Sequence, residues 1–446
     1  MVLACGGSSA AAAPLLGGGT ALLVLRNIAL GFFAVLTVVA LLPFATLPVD
    51  IGLTPTFLDF ALAAAIGVWL LGIVTGRQRR LVTAPVALPL VLFIIVAVFA
   101  FIFGLANGPL TPTLLRKFAE LLLSLGFVLV VIDYCRTWAR LERLVKFLLL
   151  MGAAAAIVAI GLWLLPDDTA NSALTALTRL GYPGGWVIRY IEENPELSER
   201  AIGTSVDPNS LGGLLLMIGA LIGPQVATRQ PVFRRPVVLG IAGLVFVALV
   251  LTFSRGAMLG LAAGLGFVAL TRYRRLLPWL AAAFLPLLFL PLTHGYIGRF
   301  MEGFQGSDLA TQMRFGEYKD ALRLIARYPV FGVGFAGSPD IDLYTAVASV
   351  YFTIAGRMGL FGLSACLGVV GAVFVYAFRN RKAARIDERR DAVWLGLHAA
   401  LIGALVAGVF DHYLFNMDFH HAVTIFWMML GMAVAATRLA SVEPVS

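Results

Sequence analysis

Long apolar runs constrain this chain more than any other feature. They recur from residue 27 to residue 437 of a 446-residue sequence. A helix needs about 20 apolar residues to cross the hydrocarbon core, and only helices or closed barrels satisfy their backbone groups in lipid. Only 13% of the residues are charged, whereas soluble domains carry about 25%. The pattern predicts an all-α, polytopic membrane protein.

The runs predict about twelve transmembrane helices. They lie at 27–46, 57–75, 82–104, 117–134, 147–165, 209–226, 236–253, 256–271, 277–293, 345–378, 392–410 and 421–437. The run at 345–378 is too long for one simple span, so we expect its first part to be interfacial or tilted. Residues 1–26 contain the low-complexity stretch SSAAAAPLLGGG and are expected to form a disordered tail.

Basic residues follow the second, fourth, sixth, eighth and tenth runs, which places all of these clusters on one side of the membrane. The largest is RNRKAARIDERR, at 379–390. By the positive-inside rule that side is the cytoplasm, and both termini lie there. The net charge of +9 is therefore a topology signal, and nucleic-acid binding loses its main support.

Two long connections, 166–208 and 294–344, are predicted on the outer face. They divide the chain into helices one to five (27–165), six to nine (209–293) and ten to twelve (345–437). Loops of this length are usually functional when they are ordered. The second loop contains TQMRFGEYKDALRLIARYP, in which Phe315, Tyr318, Leu322 and Ile325 share one helical face. This pattern predicts an amphipathic helix in the outer interface that ends at Pro329.

Three arginines on the predicted outer face deserve a functional interpretation. Arg255 lies in the short hairpin TFSRG, and Arg314 lies on the amphipathic helix. Arg200 precedes a DPNS turn, in which Asp207 or Asn209 is the expected N-cap of the sixth helix. Each arginine alone could simply reach lipid headgroups. Together they predict a binding site for a lipid-linked diphosphate, because guanidinium groups bind phosphates through paired, charge-assisted hydrogen bonds.

Four segments resemble a known family in order and spacing. RAIGTSVDPNSLGGLL, LTFSRGAMLGL, MRFGEYKDALRLIARYPVFGVGF and SVYFTIAGRMGLFGL are similar to segments of the O-antigen polymerase and ligase superfamily of bacterial polytopic membrane glycosyltransferases. DHYLFN before the last helix is also similar, and the resemblance covers roughly 195–440. It implies a fold of about twelve helices with a periplasmic cavity. It also implies an inner-membrane enzyme that transfers a glycan from undecaprenyl diphosphate to an acceptor hydroxyl without metal or cofactor.

The resemblance also assigns roles to residues. It implies that Arg255 and Arg314 bind the diphosphate and stabilise the charge that develops on the leaving group, with Arg200 as a third contact. Two positions depart from the family pattern. Ala348 and Ser349 stand where ligases commonly carry a histidine and an asparagine, and Arg357 stands where the family often has an acidic residue.

These departures leave the catalytic base open. Glu317, Asp340 and Asp342 are the candidates, with Asp340, Asp342 and Tyr351 also expected on the acceptor side. Arg357 is expected either to pair with one of these acids or to add a phosphate contact. His412, His420 and His421 are interpreted as interfacial anchors, and no metal site is expected. GVGFAG at 332–337 follows a helix instead of a strand, so it is a turn at the cavity and not a nucleotide-binding loop.

Three functions remain after the sequence analysis. The favoured one is a polymerase that joins undecaprenyl-linked repeat units of a surface polysaccharide, O-antigen or exopolysaccharide. The second is a ligase with lipid A-core as acceptor. A flippase for lipid-linked oligosaccharides represents another class, but the halves of the sequence show no repeat of the kind that transporters often carry. Expected partners are the donor and acceptor glycans and membrane lipids, and a chain-length regulator is left open.

Overall fold

The computed structural model describes residues 27–47, 54–76, 80–278, 280–282, 309–338 and 347–442. The predicted tail at 1–26, most of the run at 277–293 and both Asp340 and Asp342 lie outside these ranges. The α-helices of the described residues are α1 Ile28–Leu41, α2 Phe57–Val74, α3 Ala87–Gly104, α4 Pro112–Tyr134, α5 Trp138–Trp163, α6 Asp167–Thr175, α7 Pro208–Ala227, α8 Arg235–Leu251, α9 Arg255–Thr271, α10 Leu309–Arg327, α11 Val350–Ala384, α12 Glu388–Ala407 and α13 His420–Val442.

These helices coincide with the predicted apolar runs wherever the runs are described. Within the described ranges, α2, α3, α5, α7, α11, α12 and α13 are long and apolar enough to cross a membrane. Three shorter apolar helices, α1, α8 and α9, accompany them. The chain is therefore a mostly helical, polytopic membrane protein, as its composition indicates. The number of twelve spans stays a prediction.

The loop between α5 and α7 is ordered and carries the short β-ladder of the described structure. Strands β1 (Arg189–Tyr190) and β2 (Glu199–Arg200) pair antiparallel, with Arg189 opposite Arg200. The helix α6 and the ladder cover a small apolar cluster that includes Ala170, Leu174 and Tyr190. This apolar cluster holds the loop against the membrane helices, so Arg200 has a defined position.

Helices α7, α12 and α13 form the centre of the bundle, and small residues let α9 approach α12 closely. A Cβ added to Gly260 would lie 2.5 Å from the carbonyl oxygen of Gly403. One added to Gly264 would lie 2.6 Å from the carbonyl oxygen of Ala399. Such contacts are typical of helix association in lipid, where packing replaces the hydrophobic effect between helices. They hold the N-terminus of α9, which begins at Arg255, firmly on the bundle.

Ion pairs join the predicted cytoplasmic clusters at one end of the bundle. Arg272 Nε lies 2.9 Å from Asp391 Oδ2, and Arg389 Nη2 lies 2.6 Å from Glu142 Oε1. The opposite end carries the N-termini of α2, α4, α7, α9 and α13. The structure thus separates the basic clusters along the bundle axis from the three arginines predicted to bind a diphosphate. The assignment of the basic end to the cytoplasm stays a prediction.

Helix α11 is broken near its start. Gly359 has φ +66° and ψ −172°, a conformation that is essentially restricted to glycine. The segment before α11 fills the break, because the N–H groups of Val333 and Gly334 donate to the carbonyls of Gly356 and Arg357 at 2.9 and 2.8 Å. In lipid, the backbone N–H and C=O groups that a helix break leaves unpaired must find hydrogen-bond partners elsewhere in the protein, as they do here. The break accounts for the excess length of the run at 345–378.

Candidate functional site

The hairpin between α8 and α9 is as tight as its sequence indicates. Phe253 adopts φ +53°, and the buried Thr252 accepts a hydrogen bond from the backbone N–H of Ser254 at 3.2 Å. Ser254 is the N-cap residue of α9, and Arg255 is its first residue. Because the turn is short and braced from inside, it presents Arg255 half-exposed at the end of the bundle.

Arg200 is attached directly to this hairpin. Its Nε donates to the carbonyl of Thr252 at 2.9 Å, and its Nη2 donates to Asn209 Oδ1 at 2.8 Å. The next residue, Ala201, donates its N–H to the carbonyl of Leu251 at 2.8 Å. The structure therefore brings Arg200 and the hairpin of Arg255 together, as the diphosphate prediction requires. Two of the five guanidinium N–H donors of Arg200 hold the protein itself.

The N-terminus of α7 forms the floor beside these arginines. Asp207, one of the two residues expected to cap this helix, is its N-cap and accepts the N–H of Ser210 at 2.6 Å. The Ser210 hydroxyl lies 2.7 Å from His421 Nε2, which ties α7 to the start of α13. Helix N-termini attract anions through their unpaired N–H groups and dipole. The N-terminus of α9, which has no side-chain cap, adds to the positive potential of the arginines, whereas the Asp207 carboxylate already occupies the N-terminus of α7.

The sequence analysis missed Tyr413, which packs against the first turns of α7. Its side chain packs against Gly213, and its buried hydroxyl has no hydrogen-bond partner among the described residues. Burial, reinforced by the carboxylates of Asp411 and Asp207, raises the pKa of Tyr413 well above its usual range. The hydroxyl therefore stays protonated and is a hydrogen-bond donor. The glycine opposite Tyr413, within the DPNSLGG stretch, was the available signal.

Helix α10 confirms the predicted helix around residues 311–329 and docks onto the start of α11. Glu317 Oε2 accepts the backbone N–H of Ala348 at 2.9 Å. The Tyr318 hydroxyl lies 3.1 Å from the carbonyl oxygens of both Ala348 and Val409. Ala321 and Leu324 are buried, whereas Leu322 on the predicted apolar face is 56% exposed. The apolar face is therefore only partly covered by protein.

Arg314 lies on α10 one turn before Glu317. Its backbone is described, but the side chains of residues 309–315 lie outside the described part of the chain. Arg314 and the Glu317–Ala348 contact thus share one helix end. The contact of Arg314 with a diphosphate stays a prediction.

Arg357 lines a small, partly open cavity behind this junction. The cavity measures about 50 Å³ and is lined by α10, by the GVGFAG turn and by the first turns of α11. The guanidinium carbon lies 5.7 Å from the centre of the Phe335 ring, and Asp418 interacts with the guanidinium electrostatically. Nη1 has no hydrogen-bond partner among the described residues. The phosphate contact expected of Arg357 stays a prediction.

Two further predicted residues have contacts within the protein. The Tyr351 hydroxyl donates to the carbonyl of Leu405 at 2.9 Å, between α11 and α12. Glu317, in turn, binds Ala348, and the structure shows no ion pair between Glu317 and Arg357. The acceptor-side role of Tyr351 and the catalytic role of Glu317 stay predictions.

The histidines near the last helix behave differently from the expected interfacial anchors. His420 and His421 are only 7% and 4% exposed, so the expectation is wrong for both. The reason is that α13 enters the bundle at its first residue instead of after a solvated turn. His412 is half-exposed, and its Nδ1 lies 3.2 Å from the Asn416 side-chain nitrogen.

A cluster that could hold a metal ion involves His420. Its ring lies with Asp59 and Glu120, and one ligand atom of each residue lies within 4.8 Å of the others. The three residues belong to α13, α2 and α4, and no short sequence motif joins them. The expectation of metal-independent transfer is not tested by this arrangement.

The fold defines a polytopic membrane protein in which Arg200 and the hairpin of Arg255 lie together at one end of the bundle. Residues 240–367 match the family model described as O-antigen ligase. This segment contains Arg255, Arg314, Glu317, Tyr351 and Arg357, whereas Arg200 precedes it. The match confirms the resemblance to the O-antigen ligase and polymerase superfamily seen in the sequence. No curated protein matches the chain.

Proposed function

We propose that this protein is a bacterial inner-membrane glycosyltransferase that transfers a glycan from undecaprenyl diphosphate during assembly of a surface polysaccharide. The observation that carries the proposal is the attachment of Arg200 to the hairpin of Arg255. The Arg200 guanidinium donates to the Thr252 carbonyl, in the hairpin that leads into Arg255, and to Asn209 at the start of α7. Arginine pairs suit a diphosphate because each can bind two phosphate oxygens at once. The active site faces the periplasm in this proposal.

The chemistry needs little more than charge stabilisation and a proton acceptor. The oxygen of the acceptor hydroxyl attacks the anomeric carbon, and the bond from that carbon to the diphosphate oxygen breaks. Undecaprenyl diphosphate leaves with the bonding electrons, and the hydroxyl proton passes to a base. Arg255 and Arg314 stabilise the growing negative charge on the diphosphate. Arg200, held by Thr252 and Asn209, positions the hairpin and adds its positive charge to the site.

Glu317 is the base in this proposal. Its carboxylate is oriented by the N–H of Ala348, at the position where ligases of this type carry a histidine. One turn separates Glu317 from Arg314, so base and diphosphate contact move together with α10. Asp340 and Asp342 lie on the same connection and are proposed on the acceptor side, together with Tyr351.

The arginine assignments can be tested by chain length. In a strain that lacks the native gene, Arg255→Ala and Arg314→Ala should lose about 100- to 1,000-fold in transfer rate, the loss typical of removing one charge-stabilising donor. Lysine should not restore full rate, because a point charge lacks the paired geometry. Arg323→Ala is the matched control, since Arg323 lies on the same helix and is 62% exposed. Wild-type length and wild-type amount of attached polysaccharide in both alanine variants would refute the proposal.

Polymerase is the favoured activity, with ligase as the second. They separate by what accumulates on deletion. A polymerase deletion leaves single repeat units on the carrier or the lipid A-core, and a ligase deletion leaves long chains on the carrier. A flippase deletion leaves repeat units on the cytoplasmic face, where an impermeant periplasmic glycosidase does not reach them.

A further inference from the structure

A buried polar cluster lies away from the arginine hairpin, at the first turns of α2 and α13 and the third turn of α4. His420 Nδ1 lies 3.7 Å from Asp59 Oδ1 and 3.8 Å from Glu120 Oε2. Glu120 is 3% exposed and His420 is 7% exposed. Neither His420 Nδ1 nor Asp59 Oδ1 has a hydrogen-bond partner among the described residues. Buried polar atoms are normally paired, so two unpaired atoms directed at one point require an explanation.

The other polar atoms of the same three side chains are all held by neighbours. Asp59 Oδ2 accepts the N–H of Thr56 at 2.7 Å and lies 3.6 Å from Arg116 Nη1. Glu120 Oε1 is paired with the same guanidinium. Arg116 therefore takes the oxygens that face away from His420. It leaves Asp59 Oδ1 and Glu120 Oε2 on the inner side.

The imidazole is oriented in the same way. His420 Nε2 lies 3.1 Å from the Ser124 hydroxyl, which lies 2.8 Å from the Thr424 hydroxyl. When Nε2 donates to Ser124, Nδ1 keeps its lone pair and points at the two carboxylate oxygens. Metal-binding histidines characteristically donate their second ring N–H to a neighbour, and their carboxylate partners are likewise hydrogen-bonded. All three side chains have this kind of support.

We propose that Asp59, Glu120 and His420 bind a divalent first-row transition-metal ion. Two donor atoms bound to Zn²⁺ at about 2.0–2.1 Å lie about 3.4 Å apart in tetrahedral geometry, so the measured 3.7 and 3.8 Å need to close by only a few tenths of an ångström. Imidazole together with carboxylates suits Zn²⁺ or Mn²⁺ better than Mg²⁺ or Ca²⁺, which favour oxygen ligands throughout.

The ion is assigned a structural role, separate from the transfer chemistry proposed above. Adjacent histidines at the start of α13 serve two different regions, because His420 faces this cluster while His421 binds Ser210 at the N-terminus of α7. An ion at Asp59, Glu120 and His420 would link α2, α4 and α13 at this end of the bundle. It would thereby fix the start of α13, where His421 contacts Ser210 at the N-terminus of α7.

Metal binding to the full-length chain, purified in detergent and stripped with EDTA, tests the proposal. Co²⁺ is the spectroscopic probe and Zn²⁺ the competitor. The wild type should bind one Co²⁺ per chain with a visible absorption band that Zn²⁺ abolishes. Glu120→Gln and His420→Gln should each weaken binding by more than about 100-fold, because each removes a ligand. Ser124→Ala should weaken it about 10- to 100-fold, as loss of a supporting hydrogen bond does.

His421→Gln is the matched control and should retain wild-type binding. It changes the adjacent buried histidine, whose Nε2 contacts Ser210 instead of the cluster. If His420→Gln does not give a single size-exclusion peak, Glu120→Gln and Ser124→Ala decide the question, since both keep the imidazole. The proposal is overturned if the wild type does not bind one Co²⁺ or Zn²⁺ per chain. It is also overturned if His421→Gln loses as much affinity as the cluster variants.

Discussion

Replacing Gly359 by alanine tests how strictly the break in α11 is enforced. The residue has φ +66° and ψ −172°, and holding alanine there costs about 1–3 kcal/mol. The added Cβ would also overlap the Val330 carbonyl and lie 2.6 Å from the backbone nitrogen of Phe331. Backbone cannot rotate away as a side chain can, so this overlap adds about 1–3 kcal/mol more. The total is about 2–6 kcal/mol.

The loss is measurable by unfolding the purified protein in detergent with increasing sodium dodecyl sulfate. At about 4 kcal/mol, the ratio of folded to unfolded protein falls almost a thousandfold, because each 1.4 kcal/mol is a factor of about ten. Transfer activity should fall as well, since the strained residue lies two positions from Arg357 and supports the turn that lines its cavity.

Two glycines on the same helix provide the control. A Cβ added to Gly368 or Gly371 meets nothing within 4 Å, and both residues have ordinary helical backbone. Alanine at either position should leave stability unchanged or raise it by up to about 1 kcal/mol. The reasoning is refuted if Gly359→Ala unfolds at the same detergent concentration as Gly371→Ala.

Three further predictions concern the outer end of the bundle. Gly213→Ala should destabilise the protein by about 1–3 kcal/mol, because the new Cβ would lie 2.7 Å from the Tyr413 hydroxyl oxygen; detergent unfolding measures it. Arg200→Lys should cost about 1.5–3 kcal/mol in the same assay, since lysine cannot keep both bonds of the guanidinium fork. Burial, with a smaller effect from Asp167, raises the pKa of Glu199 to about 7. The folded state thus holds this proton more tightly, so the free energy of unfolding should fall as pH rises from about 4.5 to about 7, and Glu199→Gln should flatten that dependence.

Each of the three has a control within the chain. Gly240→Ala adds a Cβ that meets nothing within 4 Å and should be neutral beside Gly213→Ala. Arg189→Lys changes the residue paired with Arg200 across the ladder, where the side chain is 46% exposed, and should cost little. Glu196→Gln changes an exposed carboxylate of the same loop and should leave the pH dependence in place. Equal effects in variant and control would contradict the corresponding prediction.

The positions of the helices could be predicted because lipid leaves few alternatives to a 20-residue apolar helix. The cap at Asp207 and the helix around Glu317 were equally local signals and were found. The bond of Arg200 to Thr252 was not, since it depends on how a loop folds back over 52 positions. The sequence analysis placed Arg200 and Arg255 on one face but could not show that Arg200 is bonded to the hairpin that leads into Arg255.

The Asp59, Glu120 and His420 cluster lies further beyond the reach of sequence patterns. Its members are separated by as much as 361 positions, from residue 59 to residue 420. Each looks unremarkable alone, because Asp59 completes a helix cap and Glu120 forms an ordinary pair with Arg116 four residues earlier. Periodicity reports which face of a helix is apolar, whereas this cluster depends on how three helix ends meet.

The break at Gly359 also defines what can be exchanged between related proteins. The backbone of 329–334 is bonded into α11, and Glu317 and Tyr318 hold the peptide of Ala348. Grafting the outer loop alone from a relative would therefore leave donors and acceptors without their counterparts. A chimera that carries the whole stretch from Leu309 past Leu360 moves both sides of every such bond together. If this region selects the acceptor, that selectivity should be transferred only when the loop and the broken helix are exchanged together.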